Sequence, residues 1–185
     1  MDLWQLPREA SFGGKSYPIH GDYRDILEIF SYLDDPDLPE GFRWTIALAL
    51  FYAEPIPAEH TQEAAQYLSW FIRGGQPETK IRGPRLMDWQ QDAPQIIADV
   101  NKVAGEEIRS LPFLHWWTFL SFFHAIGEGQ LSALVGVREK LSRGKKLESW
   151  EKEYYTRNRE QVDLRKKYSA SELAEQERLK RLLEG

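Results

Sequence analysis

The sequence predicts a mainly α protein: a compact helical bundle around a Trp/Phe-rich central helix, with a small N-terminal β-hairpin. Two observations carry the helical part. Apolar residues recur at helical spacing between breaks such as "DDPDLPEG" and "AEPIPAEH". The stretch Phe113 to Ile126 is apolar on nearly every face, as suits a helix inside a bundle. A third, Gly13-Gly14 between short alternating segments, predicts the hairpin. With 185 residues the chain is long enough for one medium domain with its own core. We assign residues 1–168 to a single helical domain and residues 169–185 to a weakly packed helical tail.

Residues 8–20, "REASFGGKSYPIH", form the expected hairpin, because glycine accepts positive φ at no steric cost. Phe12 and Tyr17 flank its turn and can pair across it. Asp22 reads as an N-cap, followed by Tyr23, Ile26, Leu27, Ile29, Phe30 and Leu33 at helical spacing. "FRWTIALALFY" predicts a second helix, apolar on most sides and therefore buried. A third carries Ala65, Leu68, Phe71 and Ile72 on one stripe and ends at Gly74-Gly75. "QPETKIRGPR" reads as a mobile loop and "RLMDWQQ" as a short extended segment. Asp92 reads as the cap of a fourth helix, with Pro94 in its first turn and a stripe of Ile96, Ile97, Val100 and Val103.

The central helix follows, with Phe113, Trp116, Trp117, Leu120 and Phe123 on one side and His115, Phe119, Phe122 and Ile126 on the other. At 14 apolar-rich residues, closed by Pro112 and Gly127, it falls short of the roughly 20 that a membrane span needs. Core is the expected role. "QLSALVGVREKLS" is a shorter helix. "SWEKEYYTRNREQVDLRKKYS" is charged, with sparse apolar positions at Trp150, Tyr154, Val162 and Leu164. The tail starts at a cap on Ser169 or Ser171 and has a thin stripe at Leu173, Leu179, Leu182 and Leu183.

Composition narrows the chemistry. Net charge is −5, which disfavours general nucleic-acid binding. No cysteine is present, which removes disulfides, zinc–thiolate sites and thiol nucleophiles and fits a reducing compartment. "MDLWQLPREA" does not read as a signal peptide. No metalloprotease, phosphate-loop or serine-hydrolase motif occurs, so we expect no enzyme, no cofactor and no metal. His20, His60, His115 and His124 fall on separate elements or turns, and "DDPD" lacks calcium-loop spacing. Arg138, Lys140, Arg143, Lys145 and Lys146 are diluted by Glu139, Glu148, Glu151 and Glu153, which reads as a solvated face.

Three stretches, "YPIHGDYRDILEIF", "DAPQIIADV" and "FLHWWTFLSFFHAIGEGQLSALVGVREKLSRGKKLESWEKEYYTRNREQVDL", together resemble a bacteriophage family named after gene product fifteen of a tailed phage. The His-Trp-Trp-x-Phe start, the Arg of "VREKL" and the "EKEYY" helix occur in the family's order. The resemblance covers roughly residues 12–165. It implies a tail morphogenesis protein. Genes of this kind usually lie between the major tail protein and the tape measure protein, the position typical of tail assembly chaperones. The implied partner is the tape measure protein, kept soluble in the host bacterial cytoplasm before the tube polymerises. The major tail protein or an upstream chaperone is a further candidate partner. The alternative is a structural tail or head-tail connector component retained in the virion.

No catalytic residues carry over. His115, Trp116, Trp117 and Phe119 are expected to be a fold signature in the core. Trp70, Phe71, Trp89, Trp150 and Tyr154 are the candidate partner-binding residues, since aromatics exposed in a free protein dominate interface energies.

Overall fold

The computed structural model describes residues 4–78 and 83–184. Two strands, β1 (Glu9–Phe12) and β2 (Lys15–Pro18), precede α1 (Tyr23–Leu33), α2 (Glu40–Phe51), α3 (Thr61–Ile72) and α4 (Ala93–Ala104). The helices α5 (Trp116–His124), α6 (Gln130–Ser142), α7 (Ser149–Arg157), α8 (Arg159–Val162) and α9 (Ala170–Glu184) follow. The fold is mainly α with a small antiparallel hairpin. Two compact units form: Met1–Gly75 with Lys166–Gly185, and Gln76–Arg165. Residues 79–82 of the expected mobile loop, and the side chains of Leu179, Leu182 and Leu183 in the tail, lie outside the described residues.

In the first unit the hairpin turns at Gly13 and Gly14, with φ of 59° and 74°. Gly13 is doubly constrained, because a Cβ there would sit 2.3 Å from the His60 ring. Tyr17 pairs with Ala10, and Phe12 with Lys15. Phe12 and Tyr17 are therefore diagonal rather than opposite, and their rings stack at 4.6 Å on one face. The Asp22 carboxylate accepts the Arg24 N–H at 2.9 Å, the cap expected for α1. Ile26 and Ile29 of α1, Ala47 and Phe51 of α2, and Ala64, Leu68 and Phe71 of α3 form a fully buried core. The α3 stripe is centred on Ala64, with Ala65 and Ile72 only half-buried.

α2 departs from expectation. It is apolar on most sides, yet only Ala47, Leu48 and Phe51 are buried, and Phe42 is 65% exposed. One face packs inward and the opposite face meets solvent. Before α9, the Lys167 ammonium lies 3.4 Å from Asp34, and the Ala170 N–H donates to Asp37 at 2.6 Å. Ser169 and Glu172 exchange hydrogen bonds at the α9 start, a capping box that places the cap at Ser169. Side chains 171–178 are all exposed.

In the second unit α4 buries a mixed face: Gln95, Ile96, Asp99 and Val100, while Val103 is exposed. Asp99 accepts the Leu131 N–H at 2.9 Å and so caps the start of α6 from another helix. That approach explains Gly129, where a Cβ would sit 2.5 Å from the Asp99 carboxylate. Of the segment 85–91, expected to be extended, residues 89–91 instead enter a turn in which Asp88 accepts the Gln90 and Gln91 N–H groups. Leu134, Val137, Leu147 and Val162 form a second cluster, with Tyr154 and Tyr155 packed against it.

Candidate functional site

Arg138 was expected on a solvated basic face. It is 4% exposed and pairs with a fully buried Asp92. Its Nε donates to the Val162 carbonyl at 2.7 Å. Nη1 donates to the Leu86 carbonyl at 2.9 Å and to Asp92 Oδ2 at 2.6 Å. Nη2 donates to Asp92 Oδ1 at 2.8 Å and to the Gln161 carbonyl at 2.6 Å. Asp92 Oδ2 also accepts the Asp88 N–H at 2.9 Å. Asp92 therefore begins α4 without capping it, since its carboxylate is committed elsewhere. A guanidinium has five N–H donors, and all are used here. No donor remains for a ligand, so the pair is a clasp that ties α6, the α4 start and the chain after α7 together.

The aromatic motif is core at its start. His115, Trp116, Trp117 and Phe119 are each at most 9% exposed. His115 is the N-cap of α5, and its Nδ1 accepts the Trp117 N–H at 3.1 Å. Trp116 stacks on Phe119 at 5.4 Å. The burial fades along the stretch. Phe113 before the helix is 58% exposed, and His124 and Ala125 at its end are exposed.

The five candidate partner residues scatter. Phe71 is fully buried and lies 5.0 Å from Phe51, so it presents no surface in this state. Its place on the buried stripe of α3 outweighs its position at the helix end. Trp70 is half-buried with its ring 5.2 Å from Tyr67. Trp89, also half-buried, lies 5.8 Å from Trp116 and 5.1 Å from Phe123. Tyr154 packs on the second cluster, and burial pushes its phenol above the usual range. Trp150 is the exposed one of the five, at 56%.

The first unit carries an apolar groove of about 480 Å³, which sequence reasoning missed. Leu48 and Tyr52 form its buried floor, and Ala49, Ala53, Pro55 and Ile56 its walls. The hairpin positions this floor. The His20 N–H donates to the Phe51 carbonyl at 2.8 Å and the Ala53 N–H to the Pro18 carbonyl at 3.0 Å. Phe12 and Tyr17 meet Tyr52 edge-on at 5.9 and 6.3 Å. The Tyr52 hydroxyl donates to the Ala64 carbonyl at 3.0 Å, and burial raises its pKa. At the rim Glu54 is held by Lys15 at 2.6 Å. The groove is mainly apolar and open, with Thr45, Glu54 and Thr61 adding polar groups to its lining, and is fit to hold side chains. The one sequence signal for it was the excess of apolar residues on α2 over what one buried face needs.

Among the described residues no group of His, Asp and Glu is placed to hold a metal ion. No helix among them is long and apolar enough to cross a membrane. No curated protein and no solved structure matches the chain significantly. The family model described as Bacteriophage Gp15 protein matches residues 4–164, and so takes in the hairpin, the aromatic motif and the Arg138 clasp but ends before α9. The chain belongs to the bacteriophage Gp15 family.

Proposed function

We propose that this phage protein is a tail assembly chaperone that binds the tape measure protein in the host bacterial cytoplasm and keeps it soluble until the tube polymerises. The role is binding, without catalysis. The observation that carries the reading is the open groove on α2, about 480 Å³ and lined mainly by apolar side chains. An amphipathic helix lays its apolar face into a groove of this kind. A tape measure protein is long and helical, and before the tube forms its apolar faces lack a partner. Trp150, on α7, is an exposed aromatic in the other unit and a further candidate contact.

Co-expression with the tape measure protein of the same phage tests the proposal. The expected result is a soluble tape measure protein only when the partner is present, with no copies of the partner in purified virions. A tape measure protein equally soluble alone overturns it. A fixed copy number in virions replaces it with a structural tail role.

A further inference from the structure

We propose that the α2 groove selects cationic amphipathic helices, with Asp25 and Glu28 receiving the lysine or arginine side chains that border the helix's apolar face. This rests on the chaperone reading and names the chemistry of its partner.

The acid excess of the chain is local. Residues 1–75 hold twelve Asp and Glu against five Lys and Arg, and the rest of the chain holds 17 against 19. Part of that excess borders the groove. A second hollow of about 260 Å³ is lined by His20, Asp25, Glu28, Ala49 and Leu50. Ala49 lines both hollows, so the apolar groove runs into a carboxylate-lined edge. A helix seated along the exposed face of α2 covers Ala49 with an apolar side chain and sets its flanking residues over that edge.

These two carboxylates are the available ones. Glu54 on the groove is already bound by Lys15 at 2.6 Å. Asp22 is engaged by the Arg24 guanidinium at 3.0 Å. Asp25 and Glu28 form no ion pair among the described residues. Asp25 is half-buried, and burial raises its carboxyl pKa, with Asp22 and Glu28 adding to the shift and His20 and Arg24 opposing it. Like charges at a partly desolvated site are a standing cost that an incoming cation removes. An anionic helix meets the same carboxylates as repulsion, so the edge discriminates by sign.

The test uses the full chain and two fluorescently labelled amphipathic peptides of about eighteen residues, long enough to hold a helix. One is built from Leu and Lys, the other from Leu and Glu. Fluorescence anisotropy should show the Leu/Lys peptide bound at least about tenfold more tightly, roughly the effect of one good charge contact at an interface. The double variant Asp25→Asn/Glu28→Gln should lose most of that preference. Ala49→Trp, which fills the groove from an exposed position, should weaken binding of the Leu/Lys peptide. The control Glu175→Gln/Glu177→Gln removes the same charge from α9 and should leave the preference intact. Equal binding of both peptides, no binding of either, or an equal loss in the control overturns the proposal. The chaperone reading is separated from it by the tape measure solubility assay. If wild type and Asp25→Asn/Glu28→Gln keep that protein equally soluble, the charge selectivity falls and the chaperone reading stands. If wild type fails to solubilise it while the peptide preference holds, the chaperone reading falls and the groove stands.

Discussion

Replacing Asp92 by Ala removes the carboxylate that faces Arg138 and leaves the guanidinium buried at 4% exposure. Breaking a buried pair from one side costs about 3–5 kcal/mol, because the remaining charge is uncompensated. In a chain of this size each kcal/mol lowers Tm by about 2–4 °C, so a drop on the order of 10 °C is expected. The more informative variant is Asp92→Leu/Arg138→Met. Replacing both members of a buried ion pair with apolar residues is often neutral. Here it should not be. Arg138 also serves the carbonyls of Leu86, Gln161 and Val162. Gln161 keeps a donor in the Gln91 side-chain amide at 3.0 Å. The carbonyl of Val162, a residue 1% exposed, and that of the half-buried Leu86 both lose the bond. An orphaned buried acceptor costs about 1–3 kcal/mol, so the double variant should stay about 2 kcal/mol or more below wild type. Urea unfolding of wild type, Asp92→Ala and Asp92→Leu/Arg138→Met, followed by tryptophan fluorescence, measures both numbers. A double variant as stable as wild type would mean that the carbonyl contacts carry nothing and that Arg138 is merely a counter-ion. An unchanged Tm for Asp92→Ala would refute the burial itself.

Three further outcomes are expected. Trp117→Ala, at a position 9% exposed, should cost about 3–5 kcal/mol in thermal unfolding, and an unchanged Tm would place that ring at the surface. The Glu151 carboxyl is held below its ordinary range by its hydrogen bond to Lys140 at 2.8 Å and by the Glu148 N–H at 2.7 Å. Its folded pKa lies below the unfolded one, so its contribution is present above the ordinary carboxylate range and is lost as pH falls through the folded value. The Tm gap between wild type and Glu151→Gln should therefore shrink on acidification, and a gap that widened would reverse the sign. Truncation after Tyr168 removes the Ala170–Asp37 hydrogen bond and a helix whose side chains 171–178 are exposed. Tm should move by less than about 2 °C, as for the loss of surface contacts, and a larger drop would show that α9 packs firmly.

Elements set by near neighbours were legible in the sequence. Gly13-Gly14 specifies the hairpin turn through positive φ, and Asp22 caps α1 through the Arg24 N–H two residues on. The helix breaks coincide with Pro and Gly clusters for the same reason, because those residues act on their own backbone. The motif from His115 to Phe119 was legible as core because apolar residues crowd it beyond what one face can use. The limit of that logic shows at α2. The same crowding predicted burial all round, yet Phe42 and Ala49 face outward. Composition says how apolar a helix is, and only its neighbours say how much of it they cover. Part of that uncovered face, at Ala49, lines the groove, while Phe42 lies outside it.

The clasp was illegible for a different reason. Pattern reading sends charged residues to the solvated face, and α4 breaks this with Asp99 while its start breaks it with Asp92. Asp99 caps a helix 32 residues away, and Asp92 meets a guanidinium 46 residues away. No local spacing encodes either partner. Arg138 sits among four other Lys and Arg residues, and nothing in that cluster marks it as the buried one. What marks it is the demand made from elsewhere. Leu86 and Val162 present carbonyls with no helical or strand partner at the point where α6 passes, and a single guanidinium meets both while neutralising Asp92. Lysine at this position offers three donors from one point and cannot span that fork, so Arg138→Lys should fall well short of wild-type stability although charge is kept.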